Sequence, residues 1–184
     1  MKKEAKKRGF TIIEVVLVLA IAGLIFLMVF VALPALQRSQ RDTQRRDDMA
    51  RVATAITQFQ SNNSGSVPGQ KNNADVTSAA FSTENCKSTS ANVATKFLCQ
   101  YLNSSEAVSN GKNEFVDPDG SEYKIVIKAA GGIANPTEVD HTIYISAGTH
   151  CEGETATKGA KDNARDYSIV YKLEGTGVYC ADNK

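Results

Sequence analysis

The chain has 184 residues and a nearly balanced charge, with 21 Lys and Arg against 20 Asp and Glu and a formal net charge of +1. This length leaves room for one folded domain besides the apolar segment described below. The balance excludes a strongly basic nucleic-acid binder. The charge is uneven, because the first nine residues carry five positive groups and one negative group, which leaves about −3 on the rest.

A long apolar run follows this basic start. The 22 residues from Val15 to Leu36 contain no charged side chain, and fifteen of them are Leu, Ile, Val or Phe. As a helix the run is about 33 Å long, enough to cross a hydrocarbon core of about 30 Å. Its transfer free energy of about −4 to −9 kcal/mol outweighs the cost of Glu14 at its edge. We expect the basic start to stay in the cytoplasm and the C-terminal part to lie outside.

Two ordinary explanations of this run fit less well. A cleaved secretory signal has an apolar core of about 7 to 15 residues and an A-x-A-like site, whereas this run is longer and ends in VALPALQR. A plain signal-anchor that holds an extracytoplasmic binding domain explains the charge and the length. It gives no reason for Gly9 before Phe10 or for Glu14.

Residues 8–14, Arg-Gly-Phe-Thr-Ile-Ile-Glu, together with the apolar run resemble the class III signal of type IV prepilins and the related pseudopilins. The resemblance implies that a membrane-embedded prepilin peptidase cuts between Gly9 and Phe10 and then N-methylates Phe10. It assigns Glu14 to filament assembly. It also implies an assembly platform and a separate assembly ATPase as partners; the chain itself has no G-x-x-x-x-G-K-[ST] motif.

Glu14 is the unusual residue of this segment. An ionised carboxylate is unfavourable in apolar surroundings, but a cation within about 4–6 Å favours its charged form. Cleavage after Gly9 would create such a cation, the α-amino group of Phe10. The resemblance implies that Glu14 pairs with the amino terminus of a neighbouring subunit, and such a pair would select one assembly register.

The helical pattern continues beyond the apolar run. Charged pairs at helical spacing predict a solvated helix, with no role or with charge matching to other subunits or lipid headgroups; they are Arg38–Asp42, Asp42–Arg45, Asp42–Arg46 and Asp47–Arg51. Met49, Val52, Ile56 and Phe59 repeat at 3-4-3 and predict an apolar stripe. One helix from Phe10 to about Asn62 is expected, weakened at Gly23 and Pro34.

The remainder predicts an α+β domain with an antiparallel sheet, as the resemblance also implies. Residues 61–92 read as a surface connection, and residues 91–102 have the spacing of a short helix. Strands are predicted at residues 122–128, 141–146 and 167–174, followed by a turn at Gly175–Gly177 and a last strand at residues 178–180. The predicted segments are therefore a leader (1–9), a membrane or filament-core helix (10–36), its amphipathic continuation (37–62) and a head (63–184).

All four cysteines follow the apolar run, and their even number in a small polar domain favours two disulfides. Without a C-x-x-C pair, a zinc ribbon or a thioredoxin-type site is not expected. Of the three pairings we favour Cys86–Cys99 and Cys151–Cys180, because each closes a loop beside a predicted element. The second also resembles the disulfide-bounded C-terminal region of pilins.

The head shows little sign of an enzyme. Its only histidines, His141 and His150, form no catalytic or metal-binding spacing with other residues. Residues 117–123 (DPDGSEY) have the composition of a turn. The segment also loosely resembles the calcium loop of type II secretion pseudopilins, which makes Asp117, Asp119 and Glu122 candidate calcium ligands.

These observations predict a non-enzymatic type IV pilin that is inserted in the cytoplasmic membrane and then polymerises into a surface filament. Such a filament serves twitching, attachment or DNA uptake, with a cell surface or DNA as its ligand. The alternatives are a pseudopilin of a secretion or competence machine and a membrane-anchored binding domain that does not polymerise.

Overall fold

The computed structural model describes residues 9–71, 74–77, 81–159, 163–175 and 177–184. Residues 1–8 of the predicted leader and Thr176 of the predicted turn lie outside this description. The contacts within the chain divide it into two compact units, the first ending at Ser39 and the second comprising Gln40–Lys184.

The predicted long helix is present as α1, Ile12–Asn62. Pro34 lies inside it, and the helix continues through both Gly23 and Pro34. In the first unit the large apolar side chains of this helix are exposed. The helix stops where Gly65 adopts a φ of +80° and its amide donates back to the carbonyl of Gln60 at 2.7 Å, which is how a glycine commonly ends a helix.

Short helices follow in the second unit, and each has a side-chain N-cap. They are α2 (Thr83–Lys87), α3 (Val93–Phe97) and α4 (Ser105–Ser109), capped by Ser82, Asn92 and Ser104. The predicted helix at residues 91–102 is thus observed as α3, extended by one π-helical turn at Leu98–Leu102. The segment predicted as a plain surface connection contains α2 and a two-residue strand.

The sheet has five strands in the order β1-β2-β3-β6-β7. They are β1 (Val76–Thr77), β2 (Lys124–Lys128), β3 (Thr142–Ala147), β6 (Tyr167–Lys172) and β7 (Val178–Asp182). The α+β prediction is confirmed, but the sheet is mixed, because β2 and β3 run parallel. The residues between these two strands, 129–141, are long enough for the crossover that a parallel pair requires.

One face of this sheet packs on the second half of α1 and on α3. The predicted stripe is on the buried face, with Met49, Val52 and Ile56 fully buried and Phe59 packed against them. The facing strands contribute a row of fully buried isoleucines, namely Ile125, Ile127, Ile143, Ile145 and Ile169. Alternation of inward and outward side chains along a strand places these residues on a single face.

A small hairpin, β4 (His150–Glu152) and β5 (Thr155–Thr157), lies on the other face of the sheet. Cys151 of β4 is bonded to Cys180 of β7. Just before β4, the hydroxyl of Thr149 lies 2.7 Å from that of Ser168. These contacts leave Ser168 and Val170 of β6 with no exposed surface, although both point away from α1.

Gly69 provides a test of how closely the chain is packed against the sheet. Its φ is +86°, and a Cβ added there would lie 2.3 Å from Cγ2 of Ile127 and 2.9 Å from the carbonyl oxygen of Lys128. Gly120 has a similar φ of +91° with nothing near the added Cβ. We expect Gly120→Ala to cost about 1 kcal/mol through backbone strain and Gly69→Ala roughly 1–3 kcal/mol more through the clash.

Denaturant unfolding of the full chain in detergent, followed by near-ultraviolet circular dichroism, measures both free energies. Equal losses for the two variants would contradict the close packing of Gly69 on β2.

Candidate functional site

The N-terminus of α1 is closed by a capping box formed by Thr11 and Glu14. The backbone amide and the hydroxyl of Thr11 both donate to Oε2 of Glu14 at 2.8 Å. In return the Glu14 amide donates to the Thr11 hydroxyl at 3.4 Å. This reciprocal pattern satisfies two of the amides that a helix start leaves without partners. Glu14 therefore has a local function in the single chain, which the sequence analysis did not predict although the T-x-x-E spacing was visible.

The predicted cleavage site lies immediately before this cap. Phe10 is 90% exposed, and among the described residues, chain neighbours apart, no heavy atom lies within 4 Å of a Cβ built on Gly9. Neither residue belongs to α1, which begins at Ile12. The peptide bond between Gly9 and Phe10 is thus in non-helical backbone, open to an approaching protein.

The apolar run presents its side chains outward along the whole first unit. None of its most apolar stretch is buried inside the chain. Individual large side chains remain between 43% exposed at Leu33 and 75% exposed at Val31. By length and composition this helix is able to cross a membrane, and an apolar surface of this extent indicates a lipid or protein environment.

A buried ionic network is the main polar feature of the second unit. Arg45 on α1 is 1% exposed, and its guanidinium donates two hydrogen bonds of 2.8 Å to the carboxylate of Asp117. The Tyr171 hydroxyl donates to the same carboxylate at 2.9 Å. Arg45 also contacts Asp42 at 3.0 Å and Glu174 at 3.1 Å. The two parallel hydrogen bonds to Asp117 pair the guanidinium with a carboxylate; without such a partner, its burial would cost a large free energy.

The same network holds the segment after β6 against α1. Asp42 accepts hydrogen bonds from the amides of Glu174 and Gly175, each at 2.9 Å. Arg41 donates two further hydrogen bonds to the carboxylate of Glu174. Arg41, Asp42 and Arg45 thus all bind the loop after β6. Arg45 is four residues from Arg41 and three from Asp42, so the three side chains share one face of the helix.

The network shifts the protonation of its carboxylates. Burial alone would raise the pKa of Asp117, but the hydrogen bonds from Arg45 and the Asp119 amide outweigh it and hold the pKa well below its usual range. For Glu174, the hydrogen bonds from Arg41 are the main cause that lowers the pKa to about 2. Burial of Tyr171 and the adjacent Asp117 raise the pKa of its hydroxyl above its usual value.

The candidate calcium ligands Asp117, Asp119 and Glu122 are not brought together as a set. Within the part of the chain that the structure describes, the potential ligand atoms that cluster belong to Asp117, Asp119 and His141. Glu122 instead forms a β-bridge with Val116.

The structure gives Asp117 other partners. Both carboxylate oxygens of Asp117 already accept hydrogen bonds from Arg45, and the cationic Arg45 guanidinium lies 3.8 Å from Asp119. The segment is instead the turn that its composition allowed. The Gly120 amide donates to the Asp117 carbonyl at 2.8 Å, and Gly120 has a positive φ.

The four cysteines form two disulfides, Cys86–Cys99 with Cα atoms 5.5 Å apart and Cys151–Cys180 with Cα atoms 5.9 Å apart. This is the pairing that the sequence analysis favoured. The first joins α2 to the π-helical turn and the second joins β4 to β7. Closing loops of these lengths stabilises a domain by about 3–4 kcal/mol each in the chain-entropy model.

Sequence reasoning missed the burial of Arg45. The Asp42–Arg45 pair was predicted as part of a solvated face, but the structure places it inside the head. Arg51 lies 3.4 Å from Asp48, a pair that was not predicted. The sequence did indicate this burial, because Arg45 is four residues before Met49 and therefore lies on the same face of the helix as the apolar stripe. A charge on the buried face of a helix requires a buried partner.

Comparison with known proteins supports the interpretation of the N-terminus. A family model described as the prokaryotic N-terminal methylation motif matches residues 5–30. No curated protein matches the chain, and no solved structure does. The chain therefore carries the class III signal peptide of type IV pilins at its N-terminus, followed by one long helix and a mixed β-sheet.

Replacement of Arg45 tests the buried network. Arg45→Met keeps most of the side-chain volume but leaves the carboxylate of Asp117 buried without a counter-charge. We expect a loss of roughly 3–5 kcal/mol in the free energy of unfolding. The exposed neighbour Arg46 supplies the control, since Arg46→Met should change the free energy by less than about 0.5 kcal/mol. If urea unfolding gave similar losses of free energy for the two variants, the network would contribute little to the stability of the head.

Acid unfolding tests the carboxylates. Groups whose pKa is lower in the folded chain stabilise it above their unfolded pKa of about 4, and this contribution disappears as the pH falls further. With Glu174 at about 2 and Asp117 lowered as well, Tm should be unaffected by these groups between pH 5 and 8. It should fall from about pH 4.5 to 2. Glu174→Gln should make that fall shallower, and an unchanged acid slope would refute its role.

Proposed function

Because the chain begins with the class III signal peptide of type IV pilins, we propose that it is a structural pilin subunit that polymerises through α1 into a type IV pilus. The observation that carries the proposal is the combination of the methylation motif at residues 5–30 with an apolar helix whose side chains are exposed. In a filament, neighbouring copies of the same helix would bury that surface. Its role is structural rather than catalytic.

The proposed order of events begins in the cytoplasmic membrane. The chain inserts with its basic start inside, so that the head lies outside. Prepilin peptidase then hydrolyses the exposed Gly9–Phe10 bond, which yields a Gly9 carboxylate on the leader and a free amine on Phe10. N-methylation of that amine keeps its positive charge. The assembly platform and its ATPase then move the processed subunit from the membrane into the growing filament.

The capping box adds a physical reason for the position of Glu14. In the single chain, Thr11 donates two hydrogen bonds to this carboxylate. These bonds reduce the cost of holding a charge at the edge of the membrane. Each carboxylate oxygen can accept more than one hydrogen bond, so Glu14 can retain its cap and also accept from the Phe10 amine of a neighbour. Only one register of two adjacent helices satisfies both requirements.

The same methylation motif is expected in pseudopilins, which push cargo instead of displaying a fibre. The feature that favoured a pseudopilin was the calcium-like sequence at residues 117–123, and the structure forms a turn bound to Arg45 there. A pilus subunit is therefore the better-supported proposal. Attachment, twitching and DNA uptake are the activities that such a fibre serves.

Two substitutions separate processing from assembly. Gly9→Leu should block the peptidase, so the unprocessed chain accumulates in the membrane. Glu14→Ala should be cut and methylated normally but should yield at least about tenfold fewer filaments, since about 1.4 kcal/mol lost per subunit contact already lowers an association constant tenfold. Mass spectrometry of the mature N-terminus and immunoblotting of sheared fibres measure the two steps.

Glu84→Ala is the control, because Glu84 is an exposed glutamate on α2. Efficient assembly of the Glu14→Ala variant would overturn the proposed pairing. A mature chain that still starts at Met1 and forms no fibres would support the membrane-anchored domain instead, and fibres that are seen only inside the envelope would support a pseudopilin.

A further inference from the structure

Three hydroxyl side chains with no exposed surface lie together on the face of the sheet turned away from α1. They are Ser146 of β3, Ser168 of β6, and Thr149 just before β4. Ser146 and Ser168 are directly opposite each other in the register of these two antiparallel strands. Their neighbours Ile145 and Ile169 belong to the core on the other face, so alternation along the strands places both serines on this face.

The hydrogen-bond partners of these hydroxyls show which of them donates. The Thr149 hydroxyl donates to the Ser146 carbonyl oxygen at 2.9 Å, and this bond uses its only proton. The Ser168 hydroxyl lies 2.7 Å from the Thr149 hydroxyl, so Ser168 must be the donor in that contact. The Ser168 oxygen can therefore accept a further hydrogen bond but has no proton left to donate.

The Ser146 hydroxyl is the member of this group that lacks a partner. Within the part of the chain that the structure describes, its buried oxygen makes no hydrogen bond. The residue opposite it on β2 is Lys128, whose ammonium pairs with Asp75 at 2.6 Å. A hydroxyl that is buried without any partner lowers the folding equilibrium constant at least about fivefold. Buried hydroxyls in folded proteins therefore almost always have a partner, either protein or ordered water.

We propose that an internal water molecule binds between Ser146 and Ser168 and joins β3 to β6. Opposite side chains on one face of a sheet have Cβ atoms about 4.5–5.5 Å apart, yet the Ser146 oxygen makes no direct bond to Ser168. A polar pair that is separated by more than a hydrogen-bond distance is commonly bridged by one water. Water fits these two groups, because it accepts the Ser146 proton and donates one of its own to Ser168.

The bound water completes a closed chain of hydrogen bonds at the base of the hairpin β4–β5. The chain runs from the Ser146 hydroxyl through the water to Ser168, then to Thr149, and returns to the Ser146 carbonyl. Every hydroxyl in it both donates and accepts, an arrangement in which hydrogen bonds strengthen one another. The water therefore helps to fix the start of β4 on the sheet, in addition to the disulfide Cys151–Cys180.

The proposal concerns the head alone and does not depend on polymerisation. It is tested on the full mature chain in detergent by two measurements. Magnetic relaxation dispersion of the water oxygen nuclei counts the long-lived internal waters, and urea unfolding gives the folding equilibrium constant. Ser146→Ala and Ser168→Ala should each remove the same long-lived water. Ser146→Ala should also lower the folding equilibrium constant by up to about tenfold, because a bridging hydrogen bond is lost.

The control is Ser90→Ala, which removes the hydroxyl of an exposed serine. It should keep every internal water and change the folding equilibrium constant by less than about twofold. Two results would overturn the proposal. Ser146→Ala could raise the folding equilibrium constant about fivefold or more, as expected for a hydroxyl without any partner. Either buried-serine variant could keep the water count of the wild type, which would show that no water is held between the two serines.

Discussion

The ion pair between Arg45 and Asp117 is the interaction on which the architecture of the head depends. A guanidinium that is 1% exposed is tolerable only if each side of its fork finds an acceptor, and the acceptors come from three separate parts of the chain. Asp42 lies on the same helix, Asp117 in the turn before β2, and Glu174 in the loop after β6. Displacing the helix along the sheet by one turn would leave several of these charges unpaired in the interior. Apolar packing alone would tolerate such a displacement more easily, because isoleucines and valines fit several registers.

This constraint explains why one continuous helix can serve two environments. Up to Leu36 the large apolar side chains of the helix are exposed, and none of them belongs to the buried core. From Arg41 onward it has one apolar stripe, and the charges beside that stripe bind the loop after β6. The first part needs lipid or other helices around it, while the second part is satisfied within its own head. In the proposed filament, the first part of the helix would polymerise and the head would be displayed on the surface.

The N-terminus shows how far local sequence patterns carry a prediction. Cleavage after Gly9, the apolar helix and the stripe at Met49, Val52 and Ile56 follow from patterns within a few residues, and the helix and the stripe are observed as expected. The capping box between Thr11 and Glu14 follows from the same local chemistry and could have been predicted from the T-x-x-E spacing. The parallel pairing of β2 with β3 could not, because the direction of a strand is set by the path of its connection rather than by its own alternation.

The sequence by itself determined the elements whose causes are local: a membrane-length helix, the methylation signal and most of the strands. Only the tertiary structure decided which polar groups meet. It paired Arg45 with Asp117 across 72 positions of the chain, so that a carboxylate in the predicted turn accepts hydrogen bonds from a buried cation. Charge and burial depend on neighbours in space, and for residues far apart in the chain those neighbours exist only once the sheet has formed.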